Sequence, residues 1–427
     1  MATPYLDDYQ RSTSASQPQW LKETREDALA NFERQGLPTT KLEQWRFTSV
    51  APIAEKTFAL AANGASSVGP DLSAPISGAG MLAVCVNGRF APKLSSLDKL
   101  PKGVRVMSLE TAMSSHGQHV EPYLAKLGTS ATQPFTALNT AFLRDGIVVT
   151  VDPHAVVDTP IEIIFVSVAE GGPTVSHPRL LIVAGEASQS QIVERYVGRG
   201  VTFSNAVTEV WLGAGAVMDH YKVQEQPADS FHIGGMYLHG ARDANFSSHS
   251  IAFGGSLVRN DVVAVLDGEG IDCTLNGLYV GRQKQLIDNH TTIDHAQPHC
   301  GSHEIYKGIL GEQSRAVFNG KIVVRPDAQK TDAKQTNKAL LLSDDAQINT
   351  KPELEIFAND VKCTHGAAIG QLDEDAIFYL RSRGLGFNES RALLIHAFAG
   401  DILNRIKIAP LRGHLEAALS ARLPRTD

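Results

Sequence analysis

The chain has 427 residues, 43% of them hydrophobic, and a formal net charge of −7 from 39 basic and 46 acidic residues. This length suits two or three domains or one elongated domain, and the apolar content suits a protein with a buried core. The acidic balance gives no basic surface for nucleic acid, and no apolar run reaches the ~18 residues that a membrane-spanning helix needs.

The N-terminal segment and the cysteines bear on where the protein works. Residues 1–16 are polar, include Asp7 and Asp8, and lack the charged start and apolar middle of a signal peptide. Four widely spaced cysteines argue against a disulfide framework and favour a reducing compartment. We therefore expect a cytoplasmic protein in which Cys85 and Cys273 are buried, unreactive thiols.

The first part of the chain, to about residue 80, has a mostly helical pattern. Pro18 suits a first turn, and apolar residues follow at helical spacing until Gly36, which suits a helix end. From residue 61 to 80 the composition shifts to Ala, Ser, Gly and Pro, which predicts a linker. We expect residues 1–80 to form an N-terminal helical domain that includes this linker.

Residues 81–370 have the pattern of β structure and carry a weak repeat. Each repeat consists of an apolar residue, a turn that contains Gly or Asp, and a run in which apolar and polar residues alternate. Repeats begin at Leu212, Leu238 and Leu266, 26 and 28 residues apart, and then at Leu310 and Leu342, after 44 and 32 residues. Such units suit a solenoid, because one unit cannot bury its apolar face alone. We expect a parallel β-helix, with a large β-sandwich as the alternative.

The chain becomes helical again after the β part. Asp373 and Asn388 are predicted to cap two helices, Gly384 to end the first of them, and Pro410 to separate a third. We expect residues 371–427 to form a C-terminal helical domain that caps the end of the solenoid or docks a partner.

Two segments partly match nucleotide-binding motifs, but their sequence context does not fit such a site. Residues 78–83 fit the glycine pattern of a dinucleotide site but precede a strand, whereas the motif must follow one. Gly320-Lys321 lacks the upstream glycine of a P-loop. We therefore expect no ATP binding on this chain.

One group of His and Cys residues lies within fourteen residues in the β part. Its members are His290, His295, His299, Cys300 and His303. The spacing of these residues does not match that of a four-ligand zinc site. The simpler interpretation is that they are polar residues on a strand and its turn. A second metal position in this segment stays open as an alternative.

A second pair, Cys363 and His365, lies where the β pattern gives way to the helical one. Strand side chains alternate, so residues two apart project from the same face. A thiolate and an imidazole side by side make half of a soft-metal or iron–sulfur site. Half a site at a domain boundary indicates that a partner supplies the remaining ligands.

Several sequence blocks follow one another between about residues 200 and 406. They include Tyr306-Lys307-Gly308, Phe318-Asn319-Gly320-Lys321-Ile322, Gln335-Thr336-Asn337, and the segments 329–333, 340–342, 352–356, 360–366 and 378–384. In this order the blocks resemble the SufB/SufD family of iron–sulfur cluster assembly proteins, and the N-terminal segment 37–45 resembles the SufD branch of that family.

The resemblance implies a mainly β protein with a right-handed parallel β-helix core, at 81–370, between helical terminal domains. It implies a complex with SufB and two copies of the ATPase SufC, in which this chain is a scaffold subunit and not an enzyme. The helices over 373–423 would be the SufC dock. His365 would hold transient iron or a nascent iron–sulfur cluster shared with SufB, and Cys363 matches the motif as a second ligand.

Other interpretations of the sequence remain open at this point. Exposed end strands invite edge-to-edge pairing, so the chain alone could copy the SufB contact as a homodimer. A β-helix lyase or hydrolase would instead bind an extended polymer in a lateral groove, although the polar N-terminus and the cysteine pattern argue against it. A purely structural subunit would bind partners without any chemical role for His365.

Overall fold

The main body of the computed structural model, which describes residues 7–10, 17–78 and 80–423, is a parallel β-solenoid. In this part of the chain the strands form an 11-stranded sheet (sheet A) and a 10-stranded sheet (sheet B). Successive coils give one strand to each sheet, and about eight coils run from residue 147 to 370. The β-helix prediction is confirmed, and the sandwich alternative is not the fold.

The helices of the described residues lie before the solenoid, between its first strands and after its last coil. They are α1 at residues 7–10, α2 Gln19–Gln35, α3 Ala51–Ala54, α4 Pro70–Ser73, α5 Leu109–Val120, α6 Pro134–Ala141, α7 Glu374–Ser382, α8 Phe387–Leu403 and α9 Ala409–Ser420. Among these helices none is long and apolar enough to cross a membrane. Most of residues 1–16, on which the signal-peptide argument rests, and Ala79 of the glycine motif lie outside the described residues.

The strands of the two sheets alternate along the chain from β8 onward. Sheet A contains β1 Ala59–Leu60, β4 Val104–Ser108, β5 Ile147–Val151, β7 Thr174–Ser176, β8 Arg179–Ala184, β10 Thr202–Leu212, β12 Phe231–Gly240, β14 Leu257–Leu266, β16 Leu286–His295, β18 Arg315–Val324 and β20 Gln347–Ile356. Sheet B contains β2 Met81–Val86, β3 Arg89–Phe90, β6 Ile161–Val168, β9 Gln189–Arg199, β11 Val217–Gln224, β13 Asn245–Ala252, β15 Asp272–Gly281, β17 Gly301–Leu310, β19 Asp332–Leu341 and β21 Lys362–Gly370.

Each coil contains two different turns, which explains the irregular repeat in the sequence. Phe203 pairs with Phe231, so this coil takes 28 residues. The turn after Leu266 leads from sheet A to sheet B, whereas the turn after Leu310 leads from sheet B back to sheet A. The 44-residue spacing is therefore the distance between two turns of different kinds, and it is not the length of a coil.

The α2 helix and its boundaries follow the sequence pattern. Pro18 is the N-cap, and Gly36 is the C-cap at φ +63°, where its amide donates to the Phe32 carbonyl. A positive φ of this kind costs glycine little, because it has no Cβ. Ala28 and Phe32 are buried against α6. The predicted linker that follows is also anchored, since the buried Glu162 carboxylate accepts hydrogen bonds from backbone amides of residues 76 and 77.

The segment between β4 and β5 is helical, which differs from the expected β structure. The Ser108 side chain caps α5 by accepting from the Thr111 amide 3.0 Å away. Pro134 lies in the first turn of α6, where its missing N–H costs nothing. Helices therefore interrupt the early strands, and the uninterrupted ladder begins at β5.

The C-terminal helices lie against the outer face of sheet B, and the described residues leave the last coil uncovered. One apolar cluster joins α8 and α9 to outward side chains of β11, β15 and the neighbouring coils; it includes Val223, Phe253, Leu278, Val280, Ile395, Ile402, Leu411 and Leu415. By contrast, the residues of β20 and β21 are half-buried or exposed. The helices therefore do not cap the open end, which was one of the two expectations for them.

Ion pairs fix the same helices to sheet B. Lys407 Nζ lies 2.8 Å from Asp219 Oδ2, and His414 Nε2 lies 2.9 Å from Glu225 Oε1. Burial by itself would raise the pKa of Glu225, but His414 and Arg195 outweigh it and leave the pKa below its ordinary value. These contacts reach the early and middle coils, so the helical domain spans much of the solenoid.

The helix boundaries of this domain match the sequence only in part. Asp373 caps α7, as predicted, by accepting from the amides of residues 375 and 376, and Gly384 follows that helix at φ +96°. The Asn388 prediction is wrong, because Gly386 is the N-cap of α8, and its amide donates to Glu389 Oε2 at 2.8 Å. The third helix follows α8, as predicted, with Pro410 in its first turn; α9 begins at Ala409, one residue before the proline.

Candidate cluster site at the open end of the solenoid

Cys363 and His365 lie in β21, the terminal strand of sheet B. Cys363 pairs with Ala333 and His365 pairs with Gln335 in β19. Ala333 and Gln335 are buried in the solenoid, so their partners in β21 also face its interior. Since no described coil follows β21, the inward face of this strand forms the mouth of the solenoid.

The Cys363 side chain is half-buried at this mouth. It packs beside a small apolar cluster that includes Ile322, Val324 and Ala333. Burial raises the pKa of its thiol, and the backbone hydrogen bond from Ala333 offsets only part of that effect. A thiol must lose its proton to bind a metal, so metal binding by Cys363 is coupled to proton release.

His365 is exposed at the mouth and stands on a column of polar side chains. Gln335 lies directly below it in β19, and Glu304 lies below Gln335 in β17. The Gln335 Nε2 donates to Glu304 Oε2 at 2.8 Å. Burial raises the pKa of Glu304 to about 7, because hydrogen bonds to its carboxyl do not compensate for the lost hydration.

The pair provides two potential ligands and no more. Within the described ranges, no three His, Cys, Asp or Glu side chains are grouped so that they could hold a metal ion. A tetrahedral iron or zinc site takes four ligands. Cys363 and His365 could supply two of these four ligands.

The earlier His and Cys group, which is close in sequence, is dispersed in space. His290 lies on the outer face of sheet A with its Nε2 2.9 Å from Asp288. His295 is buried in the interior, and desolvation lowers its pKa to about 4. Cys300 is buried, and its thiol donates to the Gly268 carbonyl. The two exposed members are His299 and His303. Cys85 and Cys273 are buried, as predicted.

The N-terminal segment 43–45 packs across the outer face of sheet A. The Trp45 ring lies over the Arg259 guanidinium, 3.8 Å from it, and Arg259 donates to the Gln44 carbonyl at 2.7 Å. Arg259 also pairs with Asp261 and Asp288, each at 2.8 Å. Burial by itself would raise the pKa of Asp288, but His290 and Arg259 hold it at about 2. We call these contacts the Trp45 latch.

A groove of about 210 Å³ runs beside this latch, in the position expected for a polymer-binding site. Its carboxylates are paired with cations: Lys351 lies 2.6 Å from Glu43 and 3.0 Å from Glu353, and Lys321 lies 2.7 Å from Glu355. An acid–base pair for glycoside cleavage needs two carboxyl groups facing one bond across the substrate. The Lys351–Glu43 pair instead connects the N-terminal segment to β20 in the last coil, and the Lys321–Glu355 pair connects β18 to β20.

Large apolar side chains are exposed at the same end of the chain. Phe357 and Ile369, in the last coil, are 62% and 49% exposed. On α7, Phe378 is 73% and Tyr379 57% exposed. Exposed apolar side chains concentrated in one region mark an interaction surface more often than scattered ones do.

Together these observations define a β-solenoid protein with two open sheet edges in its last coil and with a Cys and a His on one face of its terminal strand. The SufBD core domain of SUF-system FeS cluster assembly matches residues 165–398, and the SufBD N-terminal region matches residues 2–163. The chain therefore belongs to the SufBD family.

Three curated relatives are similar to the chain over most of its length. An iron–sulfur cluster assembly SufBD family protein of Synechocystis is 34% identical, covering 93% of this chain and 92% of its own. The iron–sulfur cluster assembly protein SufD of Escherichia coli is 29% identical over 93% of this chain and 92% of its own. The SufD protein of Bacillus subtilis is 26% identical over 96% of both chains.

Proposed function

We propose that this chain is the SufD subunit of a cytoplasmic SUF scaffold that assembles iron–sulfur clusters. The observation that carries the proposal is the inward-facing Cys363 and His365 pair on an uncovered terminal strand. A half set of ligands at an open sheet edge suits a site completed by a second β-solenoid, which would be SufB. Similarity to two proteins named SufD supports this assignment.

In this proposal the iron or nascent cluster is cargo. His365 and a SufB thiolate would hold it at the junction of the two solenoids, with Cys363 as a further ligand once its proton is lost. A shared, incomplete site favours release, because separating the chains removes ligands from the cargo. The site is thus suited to assembly and transfer, and not to storage.

The ATPase activity in this proposal belongs to SufC, two copies of which would bind SufB and this chain. The exposed aromatic face of α7, with Phe378 and Tyr379, would be the SufC dock on this chain. ATP binding would bring the two SufC subunits together, and preferential binding of nucleotide to the closed state would supply the work. The resulting motion would open the solenoid junction and uncover the ligands.

The first test combines complex formation with cluster assembly. The tagged chain is co-expressed with SufB and SufC from the same organism and sized by native mass spectrometry; one SufB, two SufC and one copy of this chain are expected. In the same cells, His365→Ala should lower cluster assembly at least ~10-fold by removing a ligand while the complex still forms.

His303→Ala is the matched control, because this exposed histidine lies on β17, two coils away from the mouth. Unchanged cluster assembly with His365→Ala would remove the site from the proposal. A chain that stays free of SufB and SufC when they are abundant would contradict the scaffold function itself.

The dock is tested separately with Phe378→Asp. A buried charge at an apolar contact is costly, so this variant should lose SufC in pull-down experiments and keep SufB. Leu42→Asp, at an exposed apolar residue of the N-terminal segment, is the control. Point variants are preferable to removal of residues 373–427, which would uncover the apolar outer face of sheet B. Full SufC binding by Phe378→Asp would exclude this face as the dock.

A further inference from the structure

The polar column below His365 contains two acceptors without a hydrogen-bond partner among the described residues, Glu304 Oε1 and, nearer the mouth, Gln335 Oε1. Gln335 is 2% exposed and Glu304 is 1% exposed, yet the Gln335 Oε1 has no hydrogen-bond partner among the described residues. A buried amide oxygen without a partner costs about 1–3 kcal/mol, so such atoms call for an explanation. The position of the Gln335 Oε1 next to His365, a candidate ligand, suggests such an explanation.

The orientation of the Gln335 amide is fixed from below. Its Nε2 donates to the Glu304 carboxyl in the preceding coil. The oxygen and nitrogen of an amide diverge from one carbon, so an amide that donates towards β17 turns its oxygen away from that strand. The next strand on that side is β21, and the residue in register there is His365.

The opposite wall of the solenoid keeps the Gln335 side chain in this place. Gly320, in β18 of sheet A, faces Gln335 across the interior, and a Cβ built on Gly320 would lie 2.2 Å from Gln335 Nε2. The glycine therefore makes room for the amide, which fills the space between the sheets. Adjacent strands are ~4.8 Å apart, so an imidazole on β21 lies within reach of an oxygen that projects from β19.

We infer that Gln335 is a positioning residue for His365: when the exposed imidazole turns into the mouth, the Gln335 Oε1, which is unpaired in this structure, accepts the N–H of one ring nitrogen and so presents the other nitrogen, unprotonated, to a metal. Glu304 acts one step further back by holding the amide. Histidine ligands in metal sites commonly donate their second ring N–H to a carbonyl or carboxylate, which fixes tautomer and ring orientation. This inference rests on the proposed role of His365 as a ligand.

The test measures the His365 tautomer directly in the full-length, metal-free chain. Long-range proton–nitrogen NMR spectra are recorded at about pH 8, where an ordinary imidazole is neutral, and the His365 signals are assigned by their loss in His365→Ala. The native chain is expected to hold a single tautomer. Gln335→Met has nearly the same shape but no amide oxygen, so it should give a mixture of the two tautomers.

Two further variants separate positioning from simple loss of packing. Asn337→Leu also removes a buried amide from the inner face of β19, but it lies below Ala367 and should leave the tautomer unchanged. Gln335→Glu puts a second carboxyl beside Glu304; the two groups should share one proton, so the new side chain can still donate to Glu304 and accept from His365, and the single tautomer should be restored. In SUF-dependent cluster assembly, Gln335→Met should lose about 10-fold relative to the Asn337→Leu control.

A mixture of tautomers in the native chain, or one tautomer in both the native and the Gln335→Met chains, would overturn the inference. The result is independent of the proposed function, because the tautomer is read without cluster assembly. A fixed tautomer that depends on Gln335, together with normal assembly by His365→Ala, would retain the positioning contact and reject the ligand role.

Discussion

At the residue scale, Glu304 is an ionisable group enclosed by the solenoid interior. Burial raises its pKa from 4.5 to about 7. Between these values the folded chain keeps a proton that the unfolded chain releases, so the contribution of Glu304 to stability falls as pH rises. The loss amounts to about 3 kcal/mol and is complete above pH ~7.

We therefore expect Glu304→Gln to gain stability relative to the native chain as the pH is raised from about 5 to about 8. Urea unfolding at several pH values measures this difference. The exposed Glu416, replaced by Gln, is the control and should give a difference that does not change with pH. If the difference in unfolding free energy between Glu304→Gln and the native chain also stayed constant with pH, the raised pKa of Glu304 would be contradicted.

The sequence could predict part of this site and not the rest. The two-residue spacing of Cys363 and His365 is enough to put them on one face of a strand. Gln335 is thirty residues earlier, so its place below His365 depends on the register of β19 and β21. Neither the spacing nor the residue type indicates that contact. The only signal was that Gln335 lies in a block resembling the SufB/SufD family.

At the element scale, the Trp45 latch attaches the N-terminal segment to the solenoid. Trp45→Ala removes a buried ring and its contact with Arg259, and we expect a loss of about 3 kcal/mol or more. Hydrogen exchange over residues 43–54 should accelerate in this variant. Phe47→Ala, at a ring that is 44% exposed, should have little effect. Equal protection in both variants would show that other contacts hold the segment.

Some helices could be predicted from their sequence and others could not. The α2 helix has an apolar stripe between a proline and a glycine, which is a strong local signal. All eight residues of α6 are buried, and its polar face is not marked by exposed or charged residues, because Thr136, Asn139 and Thr140 form buried hydrogen bonds. The α5 helix does carry apolar residues at helical spacing, including Leu109, Ala112 and Met113, and it lies between β4 and α6.

At the scale of the whole molecule, the last coil presents two sheet edges that lack a described neighbour. We expect the purified chain to form a concentration-dependent homodimer through these edges. Analytical ultracentrifugation should show a monomer for Phe357→Glu combined with Ile369→Lys. Leu393→Lys, on α8, is the control and should still dimerise. A dimer that survives the double substitution must use another surface.

The position of the C-terminal helices could not be predicted from their own sequence. An apolar stripe indicates that a helix buries one side, but it does not indicate which surface covers that side. Here the outward apolar residues of sheet B provide that surface. The end of the solenoid stays open because the helices pack on the outer face of sheet B and not on the last coil. This contact is between residues far apart in the sequence, so the local spacing of apolar residues does not predict it.

The short connection between β21 and α7 has a mechanical consequence. Gly370 ends the strand and Glu374 begins the helix, so three residues transmit any force on α7 to β21. A pull along the strand would load all the hydrogen bonds to β19 at once and meet high resistance. A pull away from the sheet would break them singly, starting at Gly370. The pairs at His365 and Cys363 would then separate only after those at residues 366–370, so the direction of the force decides whether these two residues move early or late.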